Sequence, residues 1–144
     1  MPEGITKIIF GIFLFLAALQ DWKSKTIHVW LFITAAIAGG ILCFANGQIS
    51  YDRILSCLIG ILIVFLSRIT NGAIGTGDGY FFAVSGLFLS SFMNLSLFIY
   101  GVFFSGFICS GIYFCCRIRG KDIRKGSVPF LPFLVPVWIG MVIL

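Results

Sequence analysis

The sequence predicts an all-α integral membrane protein, a polytopic bundle of about six transmembrane helices. Two compositional observations point to this class: 60% of the 144 residues are hydrophobic and only 10% are charged, against about 25% charged residues in a typical soluble domain. The third observation is that six apolar runs alternate with short polar breaks. The breaks leave little room for a soluble domain, so we expect residues 1–144 to form one domain embedded in the lipid bilayer.

Each apolar run is interpreted as one helix. A crossing needs about 17–25 residues, and the third and fourth runs are shorter than that. Both can be extended through flanking Gly, Ser and Thr residues, which pack well between membrane helices. The approximate bounds are Ile5–Gln20, His28–Ala45, Ile54–Ser67, Tyr80–Leu89, Leu95–Cys116 and Val128–Leu144.

The basic residues predict the orientation in the membrane. Eight of the ten fall in the connections after the first, third and fifth runs: Lys23, Lys25, Arg68, Arg117, Arg119, Lys121, Arg124 and Lys125. The positive-inside rule places these connections in the cytosol and both termini on the extracytoplasmic side. These connections account for the net charge of +5. The sequence has no basic stripe with interleaved aromatic residues, so we expect no nucleic-acid partner.

The five cysteines indicate neither a metal site nor a disulfide framework. None belongs to a CxxC pair, and all lie within or at the ends of apolar runs, where cysteine acts as a small packing residue. They are Cys43, Cys57, Cys109, Cys115 and Cys116. We therefore expect no metal and no cofactor.

The acidic residues are few enough to be informative. Asp21 and Asp78 lie at the cytosolic ends of their runs, whereas Asp52 lies one span away, about 25–30 Å along a helix. Glu3 is terminal, and Asp122 sits among five basic residues. Two carboxylates in close contact share a proton, so the ionised one can activate a water molecule while the protonated one polarises a carbonyl. The pattern favours a hydrolytic pair of Asp21 and Asp78.

Glycines surround the second of these acids, in the stretch Gly75-Thr76-Gly77-Asp78-Gly79. Glycine permits backbone conformations that other residues resist and allows a substrate strand to approach the main chain. The stretch can also begin a helix, whose N-terminal dipole favours a carboxylate. We expect these glycines to shape the loop that holds Asp78.

Three blocks in order resemble the prepilin peptidase family, the type IV leader peptidases of the membrane aspartic protease class. Asp21 is followed six residues later by Ile27, similar to the family's Asp-x5-Ile-Pro-Asn stretch. Gly75-Thr76-Gly77-Asp78 resembles its Gly-x-Gly-Asp motif. Val128-Pro129-Phe130-Leu131-Pro132-Phe133 is close to its Ile-Pro-Phe-Gly-Pro-Phe stretch. The resemblance runs from about Gln20 to the C-terminus.

The resemblance implies an intramembrane aspartic endopeptidase of a prokaryotic cytoplasmic membrane. Its substrate would be a prepilin or pseudopilin-like precursor, cut behind a short basic leader at the cytosolic face. Asp21 and Asp78 would be catalytic, and Gly75 and Gly77 would shape the loop. The segments Ile27–His28 and Pro129–Pro132, including Phe130, would contact substrate or line the cytosolic entrance.

The chain departs from the family pattern at several positions. His28 and Val29 replace the usual Pro-Asn, Tyr80 replaces a frequent Lys, and Leu131 replaces Gly. The sequence also lacks the cytosolic insertion with paired CxxC motifs that accompanies N-methylation in long members. We therefore expect cleavage without methylation, as in the short peptidase-only branch.

Two other interpretations remain open on the sequence. A small ion- or proton-coupled transport subunit would use the acids as a relay, although no Asp or Glu lies in the middle of an apolar run. An inactive relative that takes part in pilin assembly would account for the departures at His28, Tyr80 and Leu131.

Overall fold

The computed structural model describes residues 3–45, 47, 50–70, 75–119 and 129–143, and this part of the chain contains six α-helices and no strand. The all-α prediction is confirmed, and each apolar run contributes one helix. Much of the α5–α6 connection, including Lys121, Asp122, Arg124, Lys125 and Val128, lies outside the described residues. The helices are α1 (Glu3–Ser24), α2 (Val29–Ala45), α3 (Tyr51–Ile69), α4 (Thr76–Ser85), α5 (Ser91–Ile118) and α6 (Leu131–Ile143).

Among the described residues, two helices are long and apolar enough to cross a membrane, at Gly4–Ser24 and Ser91–Ile118. A core helix of a soluble protein would be covered by its neighbours, yet only 11% of the most apolar part of α5 is buried. Large side chains such as Phe103, Phe107 and Phe114 point outward from it. Helix α4, at ten residues, is about 15 Å long, half the thickness of a bilayer core. The number of crossings and their orientation therefore stay predictions.

Helices α3 and α4 pack against each other at very short range. Three glycines make this possible, because a Cβ atom at any of them would clash with the facing main chain. A Cβ at Gly60 would lie 1.9 Å from the Ala83 nitrogen, one at Gly79 would lie 2.8 Å from the Val64 nitrogen, and one at Gly86 would lie 2.5 Å from the Cys57 nitrogen. The facing pairs run in opposite directions along the two helices, so α3 and α4 are antiparallel.

Helix α5 is fastened to this pair by a buried amide. The Asn94 side chain, fully buried, donates to the carbonyl oxygens of Ser56 and Phe82 at 3.1 Å each. It also accepts a hydrogen bond from the Ser85 hydroxyl at 2.7 Å. This network explains why α5 begins at Ser91, earlier than the apolar run predicts. The first turn of α5 is polar, and the hydrogen-bonding groups of its Asn94 side chain find their partners inside the bundle.

The apolar core lies between α1, α4 and α6 and is built largely of aromatic rings. Phe10 of α1 packs edge-on against Trp138 of α6, with ring centroids 4.7 Å apart. Phe13 stacks on Phe81 of α4 at 5.2 Å. Because α1 contacts both α4 and α6, this core brings the end of α1 close to the beginnings of those two helices.

Candidate active site

A pocket of about 1170 Å³ opens where α1 ends and where α4 and α6 begin. Residues from four of the helices (α1, α2, α4 and α5), from the α1–α2 turn and from the segment just before α6 line it, so distant parts of the chain contribute to one cavity. Both acids singled out from the sequence are among them. The lining comprises Asp21, Lys25, Thr26, Ile27, Val29, Phe32, Gly75, Thr76, Gly77, Asp78, Tyr80, Ala83, Val84, Phe98, Val102, Ser105, Pro129 and Phe130.

Asp21 is held in the last turns of α1 by the start of α6. Its side chain is only 9% exposed, and Oδ2 accepts a hydrogen bond at 3.1 Å from the backbone N–H of Leu131, 110 residues away. Leu131 is the first residue of α6, where backbone N–H groups have no partner within the helix. The carboxylate of Asp21 thus satisfies the N-terminus of another helix, and the dipole of α6 favours a negative charge there.

Asp78 lies in the first turn of α4, outside the two helices of spanning length. Burial raises the pKa of the Asp78 carboxyl, and the negative charge of Asp21 raises it further. Together they bring it from its ordinary value of 3.8 to about 7. The structure therefore brings the two acids of the predicted pair into one pocket, close enough for the charge of Asp21 to affect Asp78. Near neutral pH such a pair holds one proton between its members.

The glycine before this turn is required for space. Gly75 has φ −62° and ψ 127°, a conformation open to any residue, so the expectation of a special backbone conformation is wrong at this position. A Cβ atom at Gly75 would lie 2.9 Å from Asp78 Oδ2. At Gly77 the nearest atom to an added Cβ would be Ile27 Cδ1, at 3.9 Å. The expected helix start is present, with Gly75 as N-cap and Asp78 in the first turn.

The blocks around the two acids reach the pocket only in part. Ile27 lines it, whereas the exposed His28 does not; the backbone N–H of His28 donates to Gln20 Oε1 at 3.1 Å. Pro129 and Phe130 line the pocket and Pro132 does not. Pro132 is the second residue of α6, where the missing N–H of proline costs no helical hydrogen bond.

Residues 8–115, three quarters of the chain, match the type IV leader peptidase family. The chain belongs to the type IV leader peptidase family. The matched range contains both Asp21 and Asp78 and ends before the third block, Val128–Phe133. Searches of curated proteins and of solved structures found no match. Family membership implies a peptidase, and together with the two helices of spanning length it indicates a membrane protein.

Asp52 of this peptidase lies at the opposite end of α3 from the pocket. Its carboxylate accepts hydrogen bonds from the Ser91 hydroxyl and, at 3.2 Å, from the Ser91 backbone N–H. Because Gly79 packs on Val64, Asp52 is about 18 Å along α3 from the level of Asp78. Asp52 is therefore far from Asp78 along α3, and its hydrogen bonds join the starts of α3 and α5.

The sequence patterns did not identify the rest of the pocket wall in this leader peptidase. Phe98, Val102 and Ser105 follow one face of α5 at helical spacing, yet α5 presents several such faces. Lys25 and Thr26 stand in the α1–α2 turn, where the charge pattern indicated only orientation. The Leu131 N–H that holds Asp21 carries no side-chain signal at all, since a main-chain donor is present at almost every residue.

Proposed function

We propose that this member of the family is an intramembrane aspartic endopeptidase, with Asp21 and Asp78 as its catalytic pair. It cleaves the basic leader from prepilin-like precursors at the cytosolic face of a prokaryotic membrane and does not methylate the new N-terminus. The observation that carries the proposal is the presence of both carboxyl groups in one pocket, where the charge of Asp21 acts on Asp78. The order and identity of the three sequence blocks support the same activity.

The surroundings of the two acids favour different roles. The Leu131 N–H and the N-terminus of α6 stabilise a carboxylate at Asp21, which therefore acts as the general base and takes a proton from water. Asp78, with a pKa of about 7, carries the shared proton and donates a hydrogen bond to the scissile carbonyl as its oxygen becomes negative. The oxygen of that water forms a bond to the carbonyl carbon. The carbon–nitrogen bond of the peptide then breaks, and the proton held by Asp21 passes to the leaving amine.

The walls of the pocket suit a precursor that continues into an apolar helix. Apolar side chains of α2, α4 and α5, among them Phe32, Val84 and Phe98, line the part deeper than the acids. Asp78 is in the first turn of α4 and Val84 is six residues farther along that helix, about 9 Å deeper. The apolar segment of the substrate would lie against this wall and place the leader junction beside the acids.

A cleavage assay in cells tests the proposal. Wild type, Asp21→Asn, Asp78→Asn and Asp52→Asn would each be co-expressed with a tagged prepilin-like precursor from the same genome, and processing followed by gel shift. We expect Asp21→Asn and Asp78→Asn to abolish cleavage, because each removes one member of the proton-sharing pair. Asp52→Asn is the matched control and should retain most activity. Mass spectrometry of the product should show a free, unmethylated N-terminus.

Substantial cleavage by either pair variant would contradict the proposal. Binding of several candidate precursors without cleavage by wild type would favour the inactive relative. Ion or proton flux in proteoliposomes that depends on Asp78 would favour the transport subunit.

A further inference from the structure

The α1–α2 turn contains the one described residue other than glycine with a positive φ. Lys25, with φ 53°, occupies the position after α1 at which a left-handed residue ends the helix, and its backbone N–H donates to the Asp21 carbonyl at 2.9 Å. Glycine is the usual residue at such a position because a Cβ atom is disfavoured there. Lysine occupies this position despite the conformational free energy that its Cβ atom costs there.

Neighbouring hydrogen bonds enforce this conformation. The Ser24 hydroxyl is within hydrogen-bonding distance of two carbonyl oxygens, Gln20 at 2.9 Å and Thr26 at 2.7 Å. The Gln20 side chain accepts from the His28 N–H at 3.1 Å. A non-glycine residue persists in the left-handed region when its surroundings determine the conformation, and such residues concentrate at functional sites. These bonds therefore fix the main chain of the turn at Lys25, and the exposed lysine side chain extends from that fixed point.

That point is at the pocket. Lys25 lines the same cavity as Asp21 and Asp78, and among the described residues no acid pairs with its ammonium group. Burial and the negative charge of Asp21 shift the pKa of Asp78, and among the described residues no lysine contributes to that shift. Lys25 is four residues beyond Asp21, about 6 Å farther toward the cytosolic side in the predicted orientation.

We propose that Lys25 is a substrate-binding residue whose ammonium group donates hydrogen bonds to backbone carbonyl oxygens of the leader. This role rests on the proposed function and extends it to the cytosolic side of the scissile bond. A basic leader offers few carboxylates and its side chains repel a lysine, whereas its carbonyl oxygens accept hydrogen bonds whatever the leader sequence. Lys25 would thus fix the register of the leader against the acid pair without reading its side chains.

Steady-state kinetics of the full-length peptidase in detergent tests this role. The probes are two synthetic precursor peptides with the same apolar segment, one with the complete leader and one with the leader cut to the single residue before the scissile bond, whose only carbonyl is the scissile one. With the complete leader, we expect Lys25→Met to raise KM about tenfold or more, the usual effect of losing one charged hydrogen bond, and to change kcat by about twofold at most. Lys25→Arg should recover part of the loss. With the short leader, wild type and Lys25→Met should have the same KM.

Two further variants separate binding from folding. Lys25→Gly suits the left-handed conformation, so it should melt no lower than wild type and still show the raised KM. Lys23→Met removes the neighbouring exposed lysine, which does not line the pocket, and should leave KM unaltered. A complete leader whose acidic residues are replaced by their amides should keep the dependence on Lys25.

An unchanged KM in Lys25→Met, a loss confined to kcat, a difference that persists with the short leader, or a dependence that vanishes with the amide leader would each overturn the role of Lys25. None of these results bears on the proposal that Asp21 and Asp78 are catalytic. That proposal would be contradicted by cleavage in Asp21→Asn or Asp78→Asn.

Discussion

At the scale of single residues, the proton on Asp78 links folding to pH. The pKa of its carboxyl is 3.8 in ordinary surroundings and about 7 in the folded protein, so the folded state holds the proton more tightly than the unfolded chain. This contribution to stability is complete below about pH 4 and is lost as pH rises through 7. We expect the melting temperature in detergent to fall over that interval, and the slope to be reduced in Asp78→Asn. The same slope in both proteins would contradict the raised pKa.

A second prediction at this scale concerns the space beside Asp78. In Gly75→Ala the new methyl group would stand 2.9 Å from Asp78 Oδ2, and the carboxylate must move because it is the less constrained of the two. We expect near-normal melting, a cleavage rate lowered by about tenfold or more, and a shifted alkaline limb in the pH–rate profile.

Gly77→Ala is the matched comparison, since its methyl group would meet nothing closer than 3.9 Å. Its alkaline limb should coincide with that of wild type even if the added methyl group alters KM. Equal shifts in the two variants would show that Gly75 has no special relation to Asp78.

At the scale of helices, the closest main-chain packing in the described part of the chain is the crossing of α3 and α4. Gly60→Ala would put a methyl group 1.9 Å from the Ala83 backbone nitrogen, a contact that only separation of the helices can relieve. We expect a loss of about 3 kcal/mol or more in the free energy of unfolding, measured by thermal or denaturant melting in detergent.

The control for this crossing is Gly40→Ala in α2, where an added Cβ meets nothing within 4 Å. That variant should be neutral or more stable by up to about 1 kcal/mol, because alanine loses less backbone entropy than glycine in a helix. If both variants melt alike, the close packing of α3 on α4 is not what the structure describes.

The same helices illustrate how far sequence reasoning reaches. Hydropathy predicts all six helices, because an apolar run must satisfy its backbone internally. The pairing of Asp21 with Asp78 is a prediction from the expected topology, which puts few acids on the same side of the membrane. The contacts of Asn94 and of the Leu131 N–H could not be predicted, because they join residues far apart in the chain through side-chain placement and main-chain donors that leave no periodic pattern.

At the scale of the whole molecule, the bundle has two chemically different ends. One carries Asp52 and Ser91, which fasten the starts of α3 and α5 together. The other carries Asp21, Asp78 and the start of α6 in a single pocket. Because α3 and α4 are antiparallel, an acid at the start of α3 and one at the start of α4 fall at opposite ends. The protein thus separates a structural carboxylate from the proposed catalytic ones by its fold alone.

Because the pocket is at one end of the bundle, the orientation in the membrane decides whether it faces the cytosol. Reporter fusions measure that orientation. Alkaline phosphatase, active only outside the cytosol, and green fluorescent protein, fluorescent only inside, would be fused in parallel after Gly47 and after Arg119. Positive-inside predicts phosphatase activity at Gly47 and fluorescence at Arg119. Replacing Arg117 and Arg119 with Gln should weaken the second signal, since those charges help to retain the connection in the cytosol. The reversed pattern would place the pocket outside the cell and rule out cleavage at the cytosolic face, while leaving the pairing of Asp21 with Asp78 intact.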